Sequence, residues 1–224
     1  MKNLPYLFTL VFSSLLSQAS VADDIDQIVV TGARTPLTID QIGSAVTIIT
    51  RDEIERREAR HVTDLLRSVP GFSVSQSGAT GSQTQLRVRG AEANHVLVLI
   101  DGVRANDPAA GDEFRWEYLS TGNIERIEII RGPQSSLWGS DAVSAVIHII
   151  TRSEQPGSGV NAYAEGGSFN TNNAGLNGAL RGDAWVLRGG IERLATDGSN
   201  ASRVGSENDD ADLTTANLSA NITA

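Results

Sequence analysis

Side chains that could bind a metal ion are concentrated in one acidic stretch near the end of the sequence. Residues 207–212 read Glu-Asn-Asp-Asp-Ala-Asp, and Asp197 lies upstream of them. Carboxylate and amide oxygens of this kind are the ligands that Ca²⁺ takes in proteins. The spacing is not that of an EF-hand loop, so the residues alone leave two alternatives open, a calcium site and a solvated acidic loop.

The side chains that catalysis most often uses are scattered. His61, His95 and His148 each stand apart from any serine nucleophile motif and from metal-ligand spacing. The chain has no cysteine, which excludes thiolate catalysis and cysteine metal sites. It also lacks the glycine-rich fingerprints that bind nucleotide phosphates. We therefore predict that the protein is not an enzyme and that its histidines are structural.

The charge of the chain narrows the classes of partner. The formal net charge is −9 at pH 7. Proteins that bind nucleic acids usually carry clustered basic residues, which neutralise phosphates. We therefore expect no nucleic-acid partner.

The elements that must position such side chains are predicted most clearly between residues 126 and 152, where two strands flank a compact turn. Apolar, β-branched runs at 127–130 and 145–150 predict two strands. A Gly-Pro pair ends the first strand, because glycine permits unusual dihedral angles and proline fixes φ. Residues 135–139 predict one helical turn that begins at capping serines and ends at a glycine.

The preceding residues predict a small domain of the α/β (α+β) class, with a mixed sheet and short helices. A Thr-Arg-Asp-Glu sequence at residues 50–53 has the pattern of a capping box at a helix start. An Asp-Gly pair after an apolar run predicts a tight turn. The predicted strands cover 46–49, 72–76, 85–89 and 96–100, the predicted helices cover 51–59 and 63–68, and the long loops cover 77–83 and 104–115.

The two ends of the sequence indicate export. Residues 1–22 combine a lysine, an apolar run and small residues at a cleavage site, which predicts a secretory signal peptide. The alternative, a membrane-spanning helix, needs about 20 apolar residues and the run is shorter.

After residue 158, segments of roughly ten residues alternate apolar with polar positions, as transmembrane β-barrel strands do. A soluble β-meander is the alternative.

The stretch 26–31 (DQIVVT) is β-prone but lies beside the mature N-terminus. Such a segment can add itself as a strand to the sheet of a partner, where backbone hydrogen bonds give affinity. The alternative is a frayed terminus without a partner.

Several motifs together resemble the TonB-dependent outer-membrane receptors. The stretch 26–31 resembles a TonB box. Three further blocks resemble the plug domain of that family: LRVRG at 86–90, HVLVLIDGVR at 95–104, and IRGP at 130–133 followed by GSDA at 139–142. The resemblance implies a signal peptide at 1–22, a TonB box and flexible segment at 23–36, a plug at 37–153 and the first antiparallel strands of a transmembrane β-barrel at 158–224.

The resemblance also implies a function and its residues. A ligand would bind at the plug loops, and the TonB protein of the inner membrane would pull on the box to release it. Location in the outer membrane, contact with its lipid, and a cobalamin or related corrinoid ligand are implied, with a ferric siderophore receptor or a free-standing periplasmic plug for binding or signalling as alternatives. The residues implied are Asp26, Gln27, Ile28, Val29, Val30, Thr31 and Gly32 for the TonB box; Gln83, Gln85, Glu92, Ala110 and Gly111 for the ligand; Arg89 and Arg131 for a plug-to-barrel lock; and Asp197, Asn208, Asp210 and Asp212 for Ca²⁺.

The length of the chain carries a last expectation. Transporters with plugged lumens have 22-stranded barrels, and strands of about ten residues with turns would need roughly 400 residues after the plug. The sequence predicts four such strands, so we expect a fragment or a truncated reading frame.

Overall fold

A five-stranded mixed sheet forms the centre of residues 37–152 in the computed structural model, which describes residues 29–30, 37–152, 159–200 and 204–222. β6 (Val96–Ile100) and β9 (Ala145–Thr151) pair in parallel, and the other neighbours are antiparallel. The central strand β9 is apolar along most of its length because both faces of the sheet are covered. The order is β3 (Ala45–Thr50), β8 (Ile124–Arg131), β9 (Ala145–Thr151), β6 (Val96–Ile100) and β7 (Val103–Arg104).

Different elements cover the two faces of this sheet. On one face, α1 (Arg51–Arg56), α2 (Val62–Leu66) and the hairpin of β4 (Phe72–Gln76) and β5 (Thr84–Val88) enclose the larger core. On the other face, Leu97, Leu99 and Val146 pack with Trp138 of the helical turn α3 (Ser135–Trp138). The predicted α/β (α+β) class with a small mixed sheet and short helices is confirmed.

The helix boundaries confirm one predicted cap and correct another. The side chain of Thr50 accepts a hydrogen bond from the backbone N–H of Glu53 (3.4 Å), which confirms the start of α1. The helix ends at Arg56, before the predicted end at residue 59. The serine cap predicted for α3 is wrong, because the N-cap is Gln134 and its side chain makes no capping hydrogen bond. The hydroxyl of Ser135 donates instead to the carbonyl of Ala142 (3.1 Å).

Four antiparallel strands follow the mixed sheet. They are β10 (Gly159–Gly167), β11 (Thr171–Arg181), β12 (Trp185–Thr196) and β13 (Ala211–Ile222), each paired with the next. This confirms the predicted strands that follow the plug. Alternate side chains point to opposite faces of a strand, and the exposed large apolar side chains share the face away from the mixed sheet. They include Val160, Leu176, Leu180, Leu187, Ile191 and Leu218.

The first described residues form a two-stranded ladder. β1 (Val29–Val30) pairs antiparallel with β2 (Leu37–Thr38), and Val29 lies opposite Thr38. The predicted signal peptide and Asp26, Gln27, Ile28, Thr31 and Gly32 of the predicted box lie outside the described residues. Among the described helices, none is both long enough and apolar enough to span a membrane.

Candidate functional site

Two hydrogen bonds join one predicted ligand residue to the loop that carries two others. The side-chain amide of Gln85 donates to both carboxylate oxygens of Glu113, at 2.9 and 3.1 Å. Glu113 closes the loop that carries Ala110 and Gly111, through a β-bridge between Asp107 and Glu113. The structure therefore brings Gln85 close to the loop of Ala110 and Gly111.

The loop around Ala110 has a defined conformation. Asp107 caps the single 3₁₀ turn Pro108–Ala110 by accepting the N–H of Ala109 (2.9 Å). Gly111 follows with φ +71°, a left-handed conformation that glycine adopts without strain. The amide of Asn106 donates to the carbonyls of Val96 and Asp112, which fixes the base of the loop to β6. A loop held in this way presents its tip in one orientation.

Gln83 and Glu92 are positioned differently. Gln83 is exposed at the end of the loop 77–83, and its carbonyl accepts the N–H of Ser77 (3.1 Å). Glu92 is exposed at the N-cap of the 3₁₀ turn Ala93–His95. In the described ranges, no hydrogen bond or ion pair links Glu92 to the other four predicted ligand residues. The five positions therefore do not form one bonded cluster.

A cavity of about 470 Å³, which no sequence pattern predicts, lies between the mixed sheet domain and the four-stranded sheet. Its lining is mostly polar and includes Arg60, His61, Asp64, Glu117 and Glu165. Burial lowers the pKa of His61, against the opposing effects of Asp64 and Glu192, so the imidazole is favoured in its neutral form. No sequence motif marks this cavity, because its lining comes from segments distant in the chain.

His148 has the structural role that the sequence predicts for the histidines. Its Nε2 accepts the backbone N–H of Gly102 (2.9 Å), and its Nδ1 lies 3.6 Å from the carboxylate of the fully buried Glu128. Arg126 donates to the same carboxylate (2.9 Å). These contacts stabilise the sheet and the turn after β6, so His148 has a structural role.

The predicted calcium ligands are not assembled around one point. Residues 207–213 and residues 80–82 line an open cavity of about 500 Å³. The carboxylate of Asp212 is paired with the guanidinium of Arg193, at 2.6 and 3.0 Å. Nowhere in the described ranges do three or more His, Asp or Glu side chains lie together as a metal site requires. Calcium binding by Asp197, Asn208, Asp210 and Asp212 stays a prediction.

The two predicted lock residues have different surroundings. Arg89 is exposed, with φ +53°, and its N–H donates to the carbonyl of Gly71 (2.7 Å). Arg131 donates to the carbonyl of Pro70 (3.2 Å) and to the hydroxyl of Thr47 (3.0 Å). Its Nε is buried and has no hydrogen-bond partner within the described residues. The lock stays a prediction. In this lock, the Nε–H of Arg131 would donate a hydrogen bond to an acidic group of the barrel.

Comparison with known proteins gives one family and a set of relatives. Residues 38–146 match the family model of the TonB-dependent receptor plug domain. The vitamin B12 transporter BtuB of Vibrio vulnificus is 37% identical over 199 residues, which is 83% of this chain and 32% of that protein. The chain thus spans about a third of the length of this curated relative.

Two of the solved structures with the same fold are a ferric-catecholate import receptor and a pyoverdine outer membrane receptor. The closed form of the ferric-catecholate import receptor Fiu from E. coli is 26% identical, with a TM-score of 0.58 over 73% of this chain and 22% of that one. The pyoverdine receptor FpvA of Pseudomonas aeruginosa is 18% identical, with a TM-score of 0.65 over 80% of this chain and 26% of that one. The second likeness concerns the fold alone.

Proposed function

Because this chain belongs to the TonB-dependent receptors, whose plug domain it contains, we propose that it takes part in active transport of a small ligand across the outer membrane. The ligand binds at the plug loops and is released when the TonB protein pulls on the N-terminal box. The observation that carries this proposal is the order of the two sheets: a plug-like mixed sheet is followed by antiparallel strands. This is the order in which the family places its plug and its barrel.

The outer face of the four-stranded sheet supports a location in the outer membrane. Its large apolar side chains, among them Val160 (76% exposed) and Leu218 (78% exposed), are not covered by any described part of the chain. Apolar side chains on the outer face of barrel strands are solvated by lipid hydrocarbon. A free-standing periplasmic plug would leave the same face in water.

A corrinoid such as cobalamin is our first proposal for the ligand. The support is the 37% identity to a vitamin B12 transporter, which extends beyond the plug. A ferric siderophore is the second proposal, supported by the 26% identity to a ferric-catecholate import receptor. Neither ligand requires chemistry from the protein, in keeping with the prediction that it is not an enzyme.

Uptake by cells that produce this protein tests the function and separates the two ligands. We expect labelled cobalamin to accumulate when TonB is present and to remain at the surface when TonB is absent. A labelled ferric catecholate serves as the competing substrate. TonB-dependent accumulation of the ferric catecholate alone would replace the first ligand by the second. If neither cobalamin nor the ferric catecholate accumulates in cells that carry the protein in their outer membrane, the transport proposal is contradicted.

Calcium is proposed as an accessory ion of the loop 197–212. Binding requires Asp212 to leave Arg193, so we expect Arg193→Ala to strengthen calcium affinity and Asp210→Asn to weaken it. Titration of the purified protein with Ca²⁺ in a calorimeter measures both changes. Chelation should also weaken cobalamin binding. An affinity for cobalamin that is indifferent to chelator and to both substitutions would contradict this site.

A further inference from the structure

The plug meets the four-stranded sheet at a row of residues that lie directly opposite one another. Tyr163 of β10 faces Gly175 of β11, and Gly175 faces Glu192 of β12. We name this set the cross-strand row. We propose that the cross-strand row positions the plug on the wall of the barrel, with Glu192 as the main positioning residue. The proposal rests on the proposed function only for its consequence in transport.

Glu192 contributes a nearly buried carboxylate to this contact. Its exposed fraction is 9%, and one of its oxygens accepts a hydrogen bond from the hydroxyl of Ser120 in the plug. The buried hydroxyl of Tyr163 adjoins the same carboxylate, although it makes no hydrogen bond of regular geometry with any described residue. A buried carboxylate is stable only with polar partners. Glu192 therefore favours the arrangement in which the plug supplies one.

Two glycines make this close approach possible. A Cβ atom at Gly122 of the plug would lie 2.8 Å from Oε2 of Glu192 and 2.9 Å from Cζ of Tyr163. A Cβ atom at Gly175 would lie 2.5 Å from Cε1 and 2.8 Å from Cζ of the same tyrosine. The ring of Tyr163 therefore crosses over Gly175 and reaches the plug at Gly122. Any larger residue at either glycine must displace the ring.

The plug side of the contact is held by its own backbone. Residues 60–62 and 119–121 are joined by hydrogen bonds from the N–H of Thr121 to the carbonyl of Arg60 (3.0 Å) and from the N–H of Val62 to the carbonyl of Leu119 (3.2 Å). Arg60 then reaches the wall, where its Nε lies 3.1 Å from the carboxylate of Glu165. Glu165 follows Tyr163 on the same face of β10, since alternate residues of a strand share a face. Two adjacent points of the wall thus contact one rigid part of the plug.

These contacts differ from the predicted lock of Arg89 and Arg131. The exposed ion pair of Arg60 and Glu165 stabilises little by itself, because solvent screens exposed pairs. The cross-strand row is less exposed and is shaped by two glycines. We therefore assign the positioning of the plug to the cross-strand row. The ion pair of Arg60 and Glu165 serves only to report whether the plug is in that position.

A thiol cross-link between the reporter positions tests the proposal in the full chain. The chain has no cysteine, so Arg60→Cys with Glu165→Cys provides the only thiol pair. A short bifunctional thiol reagent is applied to membranes that contain the protein, and the cross-linked fraction is measured. The measurement needs no ligand, TonB or transport, so its outcome is independent of the proposed function. We expect efficient cross-linking of this parent pair, and its absence would overturn the proposal.

Substitutions in the row then decide its role. We expect Glu192→Ala to lower the rate of cross-linking about tenfold, the factor of one hydrogen bond to a charged group, and Glu192→Gln to retain most of it. Asp183→Ala, which removes an exposed acid from the turn between β11 and β12, is the control for charge. Gly175→Ala should lower the rate, whereas Gly166→Ala, whose Cβ meets no atom of the described residues within 4 Å, should not. Equal rates for Gly175→Ala and Gly166→Ala would overturn the proposal even if Glu192→Ala failed to accumulate.

Discussion

At the scale of single residues, Glu113 connects the hairpin strand β5 to a predicted ligand loop. Its carboxylate holds the amide of Gln85 through two hydrogen bonds. Because the same residue closes the loop of Ala110 and Gly111, the orientation of that loop depends on Glu113. A change at a residue that need not touch the ligand is therefore expected to change ligand affinity.

We predict that Glu113→Ala weakens ligand binding several-fold, since a half-buried hydrogen bond to a charged group stabilises by roughly 1–2 kcal/mol. Glu113→Gln retains an acceptor for Gln85 and should retain most of the affinity. Equilibrium binding of labelled cobalamin to membranes measures both. Equal affinities for the alanine variant and the unchanged protein would exclude Glu113 from loop positioning.

His61 gives the plug a dependence of stability on pH. Burial lowers its pKa below the ordinary value of 6.5, so the unfolded chain takes up a proton at a higher pH than the folded chain does. The free energy of unfolding should therefore fall as the pH decreases from about 6.5. Glu55 acts in a lower window, because its hydrogen bond with Arg51 lowers its pKa from 4.5.

We predict that His61→Gln reduces the loss of stability between pH 7 and pH 5.5, since the substituted side chain does not titrate. Urea unfolding in detergent, followed by tryptophan fluorescence, gives the free energy of unfolding of this variant and of the unchanged protein at each pH. An identical pH dependence in His61→Gln and in the unchanged protein would contradict the assignment to His61.

At the scale of elements, the short helices depend on the core for their stability. α2 has five residues, and isolated helices of this length do not persist in water. Val62, Leu65 and Leu66 of this helix are completely buried. Tertiary packing therefore holds the helix in place.

We predict that Leu65→Ala destabilises the plug by about 2–5 kcal/mol, because it leaves a cavity in a close-packed core. Leu137→Ala in α3 is the matched control, since Leu137 is 43% exposed, and it should cost far less. Denaturant unfolding of both variants measures the difference. A cost for Leu65→Ala no larger than that for Leu137→Ala would contradict the described core.

Most strands could be predicted from the sequence because their signals are local. The apolar run 96–100 and the Asp-Gly pair after it correspond to β6 and its turn. The predicted serine cap of α3 failed because Ser135 has a competing partner, the carbonyl of Ala142, which comes close only in the fold. A local signal predicts an element correctly when no tertiary contact competes with it.

At the scale of the whole molecule, the contacts between the two sheets could not be predicted. Ser120 and Glu192 are 72 residues apart, and no motif marks either of them. In the sequence, Gly175 cannot be distinguished from other strand glycines. Its role follows only from the structure, in which the ring of Tyr163 lies over it. The resemblance of the motifs to a plug and a barrel predicted both parts, whereas the register of the strands determines how they meet.

The N-terminal ladder bears on how force would reach the plug. Val29 lies opposite Thr38 in β2, which is followed by the 3₁₀ turn Ile39–Gln41 and by β3. If TonB adds a strand at Val29, the pull is transmitted along this short path to the edge of the plug sheet. A change that blocks strand addition should therefore affect transport and leave ligand binding unaffected.

Energised uptake by a Val29→Pro variant is the most direct test that this protein is driven through its N-terminal box. Proline removes the backbone N–H that strand pairing uses, whereas Val29→Ala keeps it and serves as the control. We predict that Val29→Pro abolishes TonB-dependent accumulation of cobalamin, while surface binding of cobalamin stays at the level of the alanine variant. Accumulation by Val29→Pro at the rate of the control would contradict the account.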